Sequence, residues 1–168
     1  MSADQPGVTD EAHHKPGDRV VIRRADAGDL PALELLEADA FGSLGYNWVA
    51  FRQLLDLSAP FFFVAETDRV LGYIVGARSH DPAMAWLLSV GVRPEARGRG
   101  IATQLAETVI DALLAVGVTE LRGTVAPENE ASRRIWRRLG FTEERVEPDY
   151  FGDRNDRIIL SWVRRDGS

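Results

Sequence analysis

The chain has 168 residues, 45% of them hydrophobic, and a formal net charge of −6. That length buries a core without staples and suits one domain, while the acidic balance argues against broad binding to nucleic acid or to an anionic membrane. Because cysteine is absent, disulfides, thiolate metal sites and a cysteine nucleophile are excluded. No apolar run reaches the length of a membrane span, and the N-terminus lacks the basic-then-apolar layout of a signal peptide. The cytoplasm is the expected compartment.

Residues 1–18, "MSADQPGVTDEAHHKPGD", are polar with no apolar periodicity and are expected to form a mobile tail. His13 and His14 within it lack the further ligands a metal site needs, and no metal is expected. Residues 19–168 then form a single domain. "RVVIRR" predicts a strand over Arg19–Arg24, followed by Asp26 or Asp29 as a helix cap with Pro31 in the first turn. The spacing in "LPALELLEADAF" predicts a helix that buries Leu30, Leu33, Leu36 and Phe41. After the break at "GSLG", "NWVAFRQLLDL" reads as a second helix capped by Asn47. "FFFVAETDRVLGYIVGARS" predicts a hairpin turning at "ETDR", and "MAWLLSVGV" a further strand. A long helix follows from about Gly100 to Val116, then a strand in "VTELRGTVA" and a helix in "NEASRRIWRRLG" ended by Gly140. "FTEERVEPDY" and "DRIILSWVRR" supply two closing strands. The order is strand, two helices, three strands, helix, strand, helix, two strands, which is mixed α/β without the steady alternation of a doubly wound fold.

Between Val92 and the long helix, "VRPEARGRG" gathers three arginines and two glycines in an otherwise acidic chain. A helix N-terminus presents unpaired N–H groups and the positive end of the macrodipole, so it binds anions. Gly98 and Gly100 let a phosphate approach the backbone, and Arg97 and Arg99 add planar donors suited to phosphate oxygens. Neither GxxxxGK[ST] nor G-x-G-x-x-G is present, so the expected ligand is another kind of phosphate carrier.

Arg97-Gly98-Arg99-Gly100-Ile101-Ala102 resembles the Q/R-x-x-G-x-G/A signature of the GNAT superfamily of acetyl-CoA-dependent N-acetyltransferases. Residues Asn129 to Phe141, "NEASRRIWRRLGF", resemble that family's N-x-x-A-x-x-x-Y-x-x-x-G-F block. With the element order, the resemblance covers about residues 19 to 164. It implies an α/β GNAT fold: a mixed, mostly antiparallel sheet of about seven strands with four helices, in which the bulged fourth strand splays from the fifth. It also implies acetyl-CoA as cofactor, its pyrophosphate on the amides of the glycine loop and its pantetheine arm along the exposed edge of the fourth strand. Val90 and Val92 are the candidate contacts there, and Gly91 is the small residue a bulge tolerates. Arg97, Gly98, Arg99, Gly100, Ile101 and Ala102 form the loop, with Asn129, Ser132 and Trp136 carried over from the second block. One of Arg133, Arg134, Arg137 and Arg138 could approach the 3′-phosphate, the rest forming a solvated helix face.

The implied reaction is direct attack of a primary amine on the thioester in a ternary complex. It needs a base for the ammonium proton, donors for the developing oxyanion and a proton for the leaving thiolate. Many family members supply that last proton from a tyrosine where this chain has Trp136. Tyr150 is the first candidate to replace it, with Tyr46, Tyr73 and water as others. The strand position that often carries a base reads Thr124, which leaves Glu66 and Glu128 as candidates by chemistry. Glu34, Glu37 and Asp39 could form an acidic rim that attracts a cationic amine.

Residues Asp149 to Leu160, "DYFGDRNDRIIL", are similar to the Y-Y-x-x-G-x-D-A-x-x-M segment of ribosomal-protein alanine acetyltransferases, with Arg157 in place of a small residue. "TVAPENEASRRIWRRLG" also resembles the matching block of diaminobutyrate acetyltransferases. The acceptor is thus a protein N-terminus or a small cationic amine. The alternative is a non-catalytic acyl-CoA-binding module, which an open acidic or aromatic acceptor pocket would argue against. Homodimers are common in the family, although no residue here specifies an interface.

Overall fold

The computed structural model describes residues 19–42 and 45–164. The expected tail with His13 and His14 lies outside the described residues, as do Ser43 and Leu44 of the break. The elements are β1 (Val21–Arg24), α1 (Leu30–Phe41), α2 (Trp48–Ser58), β2 (Phe62–Glu66), β3 (Val70–Arg78), β4 (Met84–Val92), α3 (Ile101–Ala115), β5 (Glu120–Val125), α4 (Glu130–Arg138), β6 (Thr142–Glu147) and β7 (Arg157–Val163). Their order is the one the sequence predicts, with β1 starting at Val21 rather than Arg19.

Seven strands form one sheet in the order β1-β2-β3-β4-β5-β7-β6. Only β4 and β5 run parallel, joined through α3; the other neighbours are antiparallel. Side chains alternate across the strands, so the two faces carry separate cores. Phe62 and Val64 of β2 and Tyr73 and Val75 of β3 pack with Leu30, Leu33 and Leu36 of α1 and Phe51 and Leu55 of α2. Their neighbours of opposite parity, Phe63, Ala65 and Ile74, join Leu105, Val109 and Leu113 of α3 on the other face. Each Val, Leu, Ile or Phe among them, fully buried, contributes about 1.5–3 kcal/mol of transfer free energy. A Cβ on Gly76 would come within 3.2 Å of Val109 Cγ2, so a bare backbone there lets α3 lie close to the sheet.

Three local readings are corrected. Phe41 is 39% exposed, and the buried stripe of α1 is completed instead by Glu37, 3% exposed. Asp29 does not cap α1 with its side chain; its carboxylate accepts from Arg23, while Asp26 caps the preceding 3-10 turn through Gly28 N–H. The bulge of β4 falls at Leu88 and not at Gly91: Val75 pairs with Ser89 but Gly76 with Leu87, which leaves Leu88 unmatched. Gly91 stays in register opposite Tyr73 and is required by packing, because a Cβ there would lie 2.6 Å from Leu36 Cδ2.

The splay is in place. β4 and β5 pair only from Met84↔Glu120 to Leu87↔Gly123. Beyond Leu87 the strands part, so the β5-facing edge of β4 from Leu88 onward has no strand partner.

Candidate active site

Two cavities open where β4 and β5 separate. One, of about 640 Å³, is lined by Val92 at the end of β4 and by Arg97, Gly98, Gly100, Ile101, Ala102 and Thr103 at the start of α3. Its neighbour, of about 930 Å³, is lined by Ser89 of β4, Thr124 of β5, Glu37 of α1, Tyr46, and Phe151, Arg154 and Arg157 around the start of β7. Ala40, Phe41, Val90, Asn129, Ser132 and Trp136 line both, so the two are continuous halves of one groove.

The smaller half is built for an anion. Gly98 and Gly100 both adopt φ +75°, a left-handed conformation that favours glycine. Gly100 is the N-cap residue of α3 and has no side chain to satisfy the first N–H groups of the helix, which therefore face the cavity. A Cβ on Gly98 would meet nothing within 4 Å and one on Gly100 only Gln104 Nε2 at 3.9 Å, so the space over the loop is open to a ligand. The donors fit a pyrophosphate: backbone N–H groups, a helix dipole and the Arg97 guanidinium on one wall. Every residue expected to hold the cofactor lines this half except Arg99, which is exposed and outside the lining. Of the four arginines on α4, Arg138 lines it. Arg133 and Arg137 are taken up by Glu130 and Glu143.

Asn129 caps α4, its Oδ1 accepting from Ser132 N–H at 3.1 Å. Ser132 Oγ in turn accepts from Trp136 Nε1–H at 3.1 Å, and the indole stacks edge-on against Phe141. The tryptophan that replaces the usual tyrosine is therefore 5% exposed with its only polar hydrogen satisfied.

The larger half contains a buried acid, Glu37. Glu37 Oε2 accepts from Tyr73 O–H, Glu37 Oε1 accepts from Tyr46 N–H, and Tyr73 O shares a hydrogen bond of 2.7 Å with Ser89 Oγ. A polar chain thus runs from Glu37 through Tyr73 to Ser89 on the β4 wall. Burial pushes the Glu37 carboxyl up, against the opposing hydrogen bonds from Tyr73 and Tyr46. The Tyr73 phenol, buried beside that carboxylate, is held well above the ordinary tyrosine value. Tyr46 is raised by burial first and then by Glu37 and Tyr150.

The acid and base candidates fall differently from expectation. Glu66 lines neither cavity, and both its oxygens accept from the guanidinium of Arg23, at 2.9 and 2.7 Å. It is an ion-pair partner that clamps β1 to β2, turned to Arg23 and not the expected base at the groove. Tyr150 also lies outside both linings, stacked on Phe151 with 37% exposure; among the tyrosines, Tyr46 lines the groove. Glu128 does line the larger half and is exposed. Of the supposed acidic rim only Glu37 reaches the cavity: Glu34 accepts from Trp48 N–H, and Asp39 is exposed outside the lining. Helical spacing was the signal that could have singled out Glu37, since it falls seven residues after Leu30 and four after Leu33.

Among the described residues no cluster of His, Asp and Glu is arranged to hold a metal ion, and no helix is long and apolar enough to cross a membrane.

Comparison with known proteins gives a consistent result. The sequence profile of the acetyltransferase (GNAT) family matches residues 30–141. An uncharacterised N-acetyltransferase of Methanocaldococcus jannaschii is 31% identical over 147 residues, which is 84% of this chain and 90% of that protein. An L-2,4-diaminobutyric acid acetyltransferase of Nocardia farcinica is 39% identical over 71 residues, 41% of this chain and 37% of that protein. The crystal structure of a ribosomal-protein-alanine N-acetyltransferase from Brucella melitensis superposes with a TM-score of 0.73 at 26% identity, over 85% of this chain and 99% of that one.

Proposed function

The chain belongs to the GNAT family of acetyltransferases, and on that premise we propose that residues 19–168 form one catalytic domain that moves an acetyl group from acetyl-CoA to a primary amine. The observation that carries the reading is the continuity of an uncapped, glycine-lined helix N-terminus with a cavity holding a buried carboxyl group. An acyl-CoA-binding module without a reaction has no use for an open second half; this one keeps Glu37, Tyr46 and Ser89 on its walls.

Acetyl-CoA, when bound, supplies an activated acyl group as a thioester. The N–H groups at the start of α3, with Gly98, Gly100 and the Arg97 and Arg138 guanidinium groups, would hold its phosphates. The unpaired edge of β4 at Val90 and Val92 would take the pantetheine arm. Glu37 acts as the base, drawing the ammonium proton of the acceptor directly or through Tyr73 and Ser89. Burial raises its pKa above the ordinary carboxylate value, which makes it a stronger base than an exposed glutamate. Tyr46 holds the proton for the departing thiolate, in place of the family's tyrosine at the Trp136 position. Asn129, Ser132 and Trp136 shape the wall between the two halves.

Acceptors of both expected kinds stay in view: a protein N-terminus, as for the ribosomal-protein-alanine relative, or a small amine, as for the diaminobutyric acid relative. The test is acetyl-CoA-dependent thiol release against peptides, diamines, diamino acids and aminoglycosides, with a thermal shift on acetyl-CoA as the binding control. Turnover on one amine class that Glu37→Gln lowers steeply, with the acetyl-CoA shift retained, supports the reading. Turnover that Glu37→Gln leaves untouched removes Glu37 as base, and binding without turnover on any amine overturns the transferase assignment.

A further inference from the structure

Two carboxyl groups and two guanidinium groups line the larger half of the groove: Glu37 and Glu128, and Arg154 and Arg157. An acceptor cavity meant only for a cation has no reason to carry two arginines. Neither guanidinium makes an ion pair among the described residues, although both share a cavity with two carboxyl groups. Arg157 is half-buried at the first residue of β7; among the described residues its side chain makes one hydrogen bond, from Nη1 to Asp156 O at 3.0 Å, and its guanidinium carbon sits 5.0 Å from the centre of the Phe151 ring. That leaves most of its donor fork free. Desolvation lowers the Arg157 pKa, offset in part by the nearby Glu128. A desolvated cation held on an aromatic face and short of an anionic partner is the usual preparation for binding a carboxylate bidentately.

The arginines do not belong to the cofactor's phosphates, because neither Arg154 nor Arg157 lines the smaller half beside the α3 N-terminus. Their loop is braced from within: Asp149 Oδ1 accepts from Arg154 N–H at 2.8 Å, and Asp156 Oδ1 accepts from Asp149 N–H at 3.0 Å. Arg154 is also one of three non-glycine residues in this loop with positive φ, together with Asp149 and Asp153, a conformation kept only where the surroundings enforce it.

Resting on the acetyltransferase reading above, we propose that the acceptor is a primary amine that also carries a carboxylate, the amine turned toward Glu37 and the carboxylate held by Arg157 with Arg154 beside it. The carboxylate could belong to a free amino acid or to an acidic side chain near a peptide N-terminus.

Matched acceptors separate the sources: ornithine and β-alanine against their primary amides, and tetrapeptides with Glu against Gln at the second residue. Expected is a KM at least about tenfold lower for the carboxylate member of the preferred pair, with kcat changed much less, as loss of a charged hydrogen-bond partner implies. Arg157→Gln should close that gap and Arg157→Lys should restore part of it, because lysine keeps the charge but not the fork. Calorimetric binding of the same acceptors to the CoA-loaded protein gives a readout without turnover. Equal KM within every pair, or a gap that Arg157→Gln leaves intact, overturns the proposal while leaving acetyl transfer standing. Carboxylate-dependent binding that Arg157→Gln removes, with no amine acetylated, keeps this site and overturns the transferase reading instead.

Discussion

Glu37 stands where the helical stripe of α1 calls for a leucine, and its burial there makes sense only as part of a polar chain. An isolated buried carboxylate costs several kcal/mol, so a structure keeps one for a reason beyond packing. Its pKa is raised above the ordinary 4.5, so kcat/KM should rise with pH through that elevated value as the base loses its proton. Glu37→Gln should flatten this limb and lower kcat on the order of a hundredfold. Tyr46 and Tyr150 make a second test. Tyr46→Phe should depress kcat more than acetyl-CoA affinity, while Tyr150→Phe, outside the groove, should leave kcat near wild type; stopped thiol-release assays at saturating acetyl-CoA distinguish them. The sequence made Tyr150 the first candidate to replace the family's tyrosine. A contact across the fold brings a different tyrosine to the groove: Tyr46 precedes α2, and its ring packs on Phe51.

At the scale of elements, two glycines on either side of the same loop do different work. Gly91→Ala places a methyl 2.6 Å from Leu36 Cδ2 and 2.8 Å from Tyr73 Cε1. It should cost about 1–3 kcal/mol by overpacking, seen as a lower midpoint in urea. Gly100→Val strains a left-handed N-cap at φ +75° and covers the N–H groups of α3. It should weaken acetyl-CoA binding far more than it lowers Tm, measured by calorimetry and thermal melts on the same sample. Periodicity was enough to place α1, β4 and the N-cap of α2, since each is decided by neighbours within a few residues. The position of the bulge was not legible. It depends on which residue of β3 each residue of β4 meets, and Leu88 looks like any other core residue until Gly76 is found opposite Leu87.

Over the whole molecule, two carboxyl groups pull the pH dependence of stability in opposite directions. Glu37 has its pKa raised, so the native state keeps a proton that the unfolded chain has lost. Its contribution is present below the ordinary carboxylate value and is lost as pH rises through the folded value. For Asp29, burial pushes the carboxyl up, but the Arg23 guanidinium and the Asp26 N–H outweigh it and hold it below the ordinary value. Its contribution is present above the unfolded value and is lost as pH falls through the folded one. Glu37→Gln should therefore remove the decline that sets in as pH rises above the ordinary carboxylate value, and Arg23→Ala should make the acid limb shallower while lowering Tm at neutral pH. Urea unfolding across pH 3 to 8 measures both.

The groove is divided between two halves of the sheet. Glu37 rides on α1 over the β1 to β4 side, and Arg157 opens β7 on the other. Those sides are joined edge to edge by four residue pairs, Met84↔Glu120 to Leu87↔Gly123. The span between acid and guanidinium is thus a ruler whose length no single element sets, and whose zero is that short parallel ladder. A change in the ladder, far from either charged group, would alter which acceptor lengths fit while leaving both ends of the ruler chemically intact.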